Sequence, residues 1–164
     1  MVDCWCFRQD KDVIYLIFAL AITIAVVVSW YDLKTQRIPT GLIQIAVVIV
    51  FLLQALQGKS WNALIAIGIG FVCLLIPSVV SRGRMLGKGD AWIGACMGAV
   101  LGWPLLGVGL CLSAFFGGIV AIILLAYGWK RTDPVPFAPM LFGGMLVALF
   151  WGERLSHWLM QRFL

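Results

Sequence analysis

Val13 to Tyr31, which is 19 residues, and Ala91 to Trp129, which is 39, carry no charge. A helix of about 20 apolar residues spans a bilayer core. The first run therefore fits one crossing, and the second is too long for one. Gly102-Trp103-Pro104 breaks the second run, because proline cannot continue the helical hydrogen-bond ladder. The pattern predicts helices at about 13–31, 40–57, 61–80, 90–102, 105–128 and 138–152. Only 12% of residues are charged and 63% are apolar, against about 25% charged in a soluble domain. The expected fold is an all-α membrane protein, a polytopic bundle of about six transmembrane helices with a short fourth helix. The expected organisation is a tail over 1–12 and a single transmembrane domain over 13–164. The first run exceeds a signal-peptide core, and no small-x-small cleavage site follows it. It reads as a retained helix.

A formal charge of +5 reflects basic residues at lipid headgroups. No aromatic and basic residues interleave into a nucleic-acid surface, so no nucleic-acid partner is expected. Lys34, Arg37, Arg82, Arg84, Lys88, Lys130 and Arg131 fall in the loops after helices one, three and five. Arg8, Lys11, Lys59, Arg154 and Arg162 fall on the other side. Positive charge accumulates in the cytoplasm, which puts the odd loops there. Cys73, Cys96 and Cys111 sit in apolar spans as small hydrophobes. Cys4 and Cys6 lack a second pair for a zinc site. His157 stands alone, so neither a metal nor a cofactor is expected.

Acids are few, and two of them flank spans: Asp32, in Trp30-Tyr31-Asp32-Leu33-Lys34, and Asp90, in Gly87-Lys88-Gly89-Asp90. A carboxylate at the edge of hydrocarbon loses hydration, so its presence calls for a use. Each alone has a plain structural reading, Asp32 as a polar helix end and Asp90 as an N-cap. Together, on one expected side, they fit an aspartyl pair sharing one proton. Asp90, Gly94, Gly98 and Gly102 recur every fourth residue on one helix face. Asp32, Ser29, Ala25 and Ala21 do nearly the same on helix one. Small residues so spaced let helices approach closely in lipid. The expected result is that these two faces pack together and bring the carboxylates into reach.

Three segments, in order and spacing, resemble the type IV prepilin peptidase family of polytopic aspartyl proteases. They are Asp32 to Pro39, Met85 to Asp90 with the glycines that follow, and Pro136-Phe137-Ala138-Pro139. Thr40 replaces the usual asparagine, and Trp92 stands where a lysine is common. The resemblance implies Asp32 and Asp90 as the catalytic pair, with Gly87, Lys88, Gly89, Arg37, Pro39, Pro136, Phe137 and Pro139 binding substrate or supporting the motifs. It implies cleavage of a prepilin or pseudopilin precursor at the cytoplasmic face of a bacterial inner membrane. The larger family members carry an N-terminal cysteine-paired segment with N-methyltransferase activity. Cys4-Trp5-Cys6 does not fit that segment, so the short, peptidase-only form is implied. Membrane lipids are the other expected partner.

One carboxyl would take a proton from water while the other protonates the carbonyl or the leaving nitrogen. Gly87 and Gly89, without side chains, would let an extended substrate strand approach Asp90, although a plain turn is an equal reading. Two other functions use the same residues. Tyr31-Asp32 and Gly-x-Gly-Asp also occur in presenilin-like intramembrane proteases, but the chain is short for that class and has no Pro-Ala-Leu segment. A small proton-coupled transporter could use Asp32 and Asp90 as a relay.

Overall fold

The computed structural model describes residues 11–35, 40–81, 87–128 and 137–163, without the side chains of residues 11, 88 and 153–163. Six helices follow in chain order: α1 (Lys11–Thr35), α2 (Thr40–Leu56), α3 (Ser60–Val80), α4 (Lys88–Leu101), α5 (Leu105–Ala126) and α6 (Ala138–Phe163). Three are long and apolar enough to cross a membrane: α1 from Asp12, α3 and α5. The apolar stretches Thr40–Leu56, Gly89–Leu101 and Ala138–Gly152 are shorter. The expected all-helical bundle with a short fourth member is what forms. α1 runs four residues beyond the expected end, so Asp32 lies inside its last turn. α6 continues through the tail.

The shortest helix is the centre. Every residue of α4 from Asp90 to Leu101 is buried except Trp92, and α2, α3, α5, α6 and α1 all touch it. Large apolar side chains point outward from α1, α3 and α5, among them Val26, Leu64, Ile65, Phe115 and Ile122. Lipid is as apolar as leucine, so such faces gain nothing from leaving it, and close packing and hydrogen bonds must join the helices.

The glycine stripe of α4 supplies that close packing, but against α3 rather than α1. A Cβ built on Gly94 would meet the backbone carbonyl of Gly70, and one on Gly98 that of Ala66. Ala66 and Gly70 are a small pair four apart on α3, matching Gly94 and Gly98 on α4. The expected α1–α4 stripe contact is therefore corrected. α1 packs chiefly on α6 and α2, and it meets α4 at only a few positions. Spacing shows that a face is small; it does not say which other small face it meets.

Polar bonds fix the ends. Gln54 on α2 donates through Nε2 to the Ala99 carbonyl of α4 at 3.2 Å. Gly102, at φ 65°, turns the chain out of α4 in a backbone region that suits glycine. Asn62 then clamps the turn: its Nδ2 donates to the Trp103 carbonyl at 3.0 Å, and the Trp103 N–H donates to its Oδ1 at 2.7 Å. Asn62→Leu removes both bonds. At about 1 kcal/mol per bond, the substitution should destabilise the protein by about 2 kcal/mol. Heat unfolding in detergent, followed by circular dichroism, should show a lowered midpoint with unchanged helix content at low temperature.

Candidate active site

Asp32 ends up in an unfavourable place for a carboxylate on its own helix. The last turn of a helix presents free carbonyls and partial negative charge. The compensation comes from elsewhere: the backbone N–H of Ala138, the first residue of α6, donates to Asp32 Oδ2 at 3.2 Å. A helix N-terminus offers unpaired N–H groups and positive potential, and so holds an anion. Asp32 is only 5% exposed. Its partner lies 106 positions along the chain, and the bond joins the ends of α1 and α6.

Asp90 is held in the same way by its own helix. It occupies the third position of α4 behind Gly87, and the Gly87 N–H donates to its Oδ2 at 2.8 Å. Half of a capping box forms here, since Gly87 has no side chain to reciprocate. Asp90 is thus a first-turn residue rather than the N-cap itself. It is 4% exposed, and its Oδ1 is buried with no hydrogen-bond partner among the described residues. Such an oxygen costs free energy unless something else satisfies it. The start of α1 and the end of α4 line one cavity, so the end of α1, with Asp32, and the start of α4, with Asp90, share the opposite end of the bundle. Two buried carboxylates from separate helices therefore lie at the same end of the bundle. Each is held through one oxygen by a backbone N–H at a helix start.

The same geometry orders the loops. The end of α1 and the starts of α4 and α6 lie at one end of the bundle, so the connections that leave α1 and enter α4 and α6 share that end.

Comparison with known proteins agrees with the sequence resemblance. A family model described as the type IV leader peptidase family matches residues 18–123, a stretch that contains both aspartates. The chain belongs to the type IV leader peptidase family. Three similar proteins carry the name prepilin leader peptidase/N-methyltransferase. That of Legionella pneumophila is 38% identical over 74 residues, covering 44% of this chain and 26% of that protein. That of Aeromonas hydrophila is 35% identical over 80 residues, 48% of this chain and 28% of that protein. That of Bacillus subtilis is 26% identical over 143 residues, 82% of this chain and 55% of that protein. The matched part is thus about a quarter of the first two relatives and about half of the third. No solved structure matches.

The other motif residues of the chain separate into those near the two aspartates and those outside the described residues. Gly87 is exposed beside Asp90. A Cβ there would sit 3.7 Å from Asp90 Oδ2, an ordinary contact, so packing does not demand a glycine at that position. Gly89 is half-buried in the first turn of α4. Phe137 and Pro139 flank the Ala138 N–H. The Phe137 ring rests against Gly117 of α5, 3.3 Å from where a Cβ would stand. Pro139, in the first turn of α6, forfeits an N–H that has no intrahelical partner there. These two residues aim the helix start that holds Asp32. Arg37, Pro39 and Pro136 lie outside the described residues, as does the side chain of Lys88.

Sequence reasoning missed the Ala138 N–H, because a backbone donor leaves no mark in residue type. The available signal was Pro139, which announces a helix start, together with the affinity of helix starts for anions. It also missed Ala66 and Gly70, which stand in the sequence as an ordinary small pair. Trp92, two residues after Asp90, packs edge-on against Phe71 of α3 with ring centroids 5.1 Å apart. Packing between α4 and α3 occupies the place where relatives of the resembled type often carry lysine.

Proposed function

We propose that this protein is a membrane-embedded aspartyl endopeptidase that removes the leader peptide of type IV prepilin-like precursors at the cytoplasmic face of the membrane. The observation that carries the reading is the buried Asp90 Oδ1, without a partner among the described residues, at the same end of the bundle as the buried Asp32. Membership of the family supports the substrate class. The basic residues of the loops after α1, α3 and α5 support the cytoplasmic side.

In this scheme one carboxylate accepts a proton from water as the water oxygen bonds to the scissile carbonyl carbon. The protonated partner gives its proton to the carbonyl oxygen, and a tetrahedral diol forms. Collapse of the diol breaks the carbon–nitrogen bond: the leaving nitrogen takes a proton from the acid formed in the first step, and a diol hydroxyl returns its proton to the other carboxylate, which restores the pair. Because Ala138 and Gly87 each engage an Oδ2, each carboxyl keeps its other oxygen for this exchange. Exposed Gly87 leaves room for an extended strand beside Asp90.

Cleavage of a prepilin-like precursor by the purified protein in detergent tests the reading. A proton gradient is absent there, so activity in detergent also sets a peptidase apart from a proton-coupled transporter. EDTA and serine- or cysteine-directed reagents should leave cleavage largely intact, since the sequence has no His-Glu-x-x-His and a single histidine. Carboxyl-directed reagents should inactivate the enzyme, and precursor should protect it. Loss with chelator and recovery with zinc would overturn the carboxylate scheme.

A further inference from the structure

The end of the bundle opposite the carboxylates holds a cavity of about 210 Å³. Ile14, Ile17 and Phe18 of α1, with Leu149 of α6, make one wall apolar. Gln54, Gln57 and Lys59 make the other wall polar. A second cavity of about 140 Å³ adjoins it, sharing Gln54 and Lys59 and adding Asn62. This region has no part in the site described above.

Lys59 is placed there by rigid backbone. Gly58, at φ 73°, closes α2 with paired turn bonds: Gly58 N–H to the Ala55 carbonyl at 3.0 Å and Lys59 N–H to the Gln54 carbonyl at 3.1 Å. This is the glycine-dependent helix stop of the Schellman type. The Lys59 carbonyl accepts from the Ala63 N–H at 3.0 Å, which starts α3. Lys59 is therefore fixed from both sides. No carboxylate pairs with it among the described residues.

The amides lining the cavities are not equivalent. Gln54 spends its Nε2 on Ala99, and Asn62 spends both ends on Trp103. The Nε2 of Gln57 is buried without a partner among the described residues. A buried unpaired donor is costly. What remains is one ammonium and one unsatisfied N–H, which call for an anionic acceptor. Exposed Trp61 and Trp103 lie at this same end, and tryptophan favours the depth of the headgroups. A soluble anion would leave the apolar wall of α1 and α6 unfilled.

We propose that this cavity binds an anionic phospholipid, with its phosphate at Lys59 and Gln57 and an acyl chain along Ile14, Ile17, Phe18 and Leu149. The site is independent of peptide cleavage and stands whether or not the peptidase reading does.

Delipidated protein in detergent, titrated with phosphatidylglycerol and separately with phosphatidylcholine under native mass spectrometry, tests it. Phosphatidylglycerol should be retained preferentially and should raise the melting midpoint. Lys59→Gln should weaken that retention roughly tenfold, the scale of one lost charge-assisted contact. Lys59→Arg should keep it, and Gln57→Leu should weaken it severalfold with its folding intact. Equal retention of the two lipids, or unchanged retention in both Lys59→Gln and Gln57→Leu, overturns the proposal. Displacement of the lipid by glycerol phosphate at equal concentration would assign the pocket to a soluble phosphate ester instead. If Asp3→Asn with Asp10→Asn lowers the lipid-free melting midpoint as much as Lys59→Gln does, the chain's own N-terminal segment is the occupant, and the lipid proposal falls.

Discussion

Asp32→Asn and Asp90→Asn should each abolish precursor cleavage while the protein still accumulates in the membrane. Each loss should reach at least about a thousandfold, since general acid–base groups contribute 10²–10⁴-fold each and members of one unit fail together. The double variant should therefore be no worse than either single one. Folding should survive, because an asparagine carbonyl can still accept the N–H of Ala138 at position 32 or of Gly87 at position 90, where the carboxylates now accept at 3.2 and 2.8 Å. Co-expression with a cognate precursor and a gel-mobility assay reads the cleavage, and circular dichroism of the purified variants reads the fold. Substantial processing by either variant would remove that residue from the pair. Asp32→Ala and Asp90→Ala should differ from the asparagine variants in stability, since alanine leaves the helix-start N–H groups of α6 or α4 without their acceptor.

Several helix boundaries were legible because each falls at a residue with one local meaning. Gly58 stops α2, Gly102 and Pro104 divide the long uncharged run, and Pro139 opens α6. The two aspartates were legible for a similar reason, since a charge at the edge of an apolar run has few explanations. Contacts between elements were harder. The four-residue glycine period of α4 marks a face that meets backbone, but Ser29, Ala25 and Ala21 on α1 and Ala66 and Gly70 on α3 offered it equally small surfaces. The choice is made by the whole bundle: α6 inserts its start against Asp32 and keeps α1 on its own flank, while α3 closes on α4. The Ala138 N–H that completes the site is main chain, and side-chain identity could not announce it.

Gly94→Leu and Gly98→Leu should each destabilise the protein severely and take cleavage down with it. Overpacking a well-filled site typically costs about 1–3 kcal/mol when side chains can shift. Here the added Cβ meets the main-chain carbonyl of Gly70 or Ala66, which cannot rotate away, so the cost should exceed that range. α4 would be forced off α3, and Asp90, one turn before Gly94, would move with it. Gly118→Leu is the matched control. It makes the same chemical change in α5, where nothing stands within 4 Å of the new Cβ, and leucine is the better helix former by nearly 1 kcal/mol. Its melting midpoint in detergent should equal or exceed that of the wild type. Gly98→Ala should fall between, because even one methyl group must displace the Ala66 carbonyl. Wild-type melting and cleavage in both Gly94→Leu and Gly98→Leu would mean that α3 and α4 do not approach each other backbone to backbone, and the placement of Asp90 beside Asp32 would lose its support.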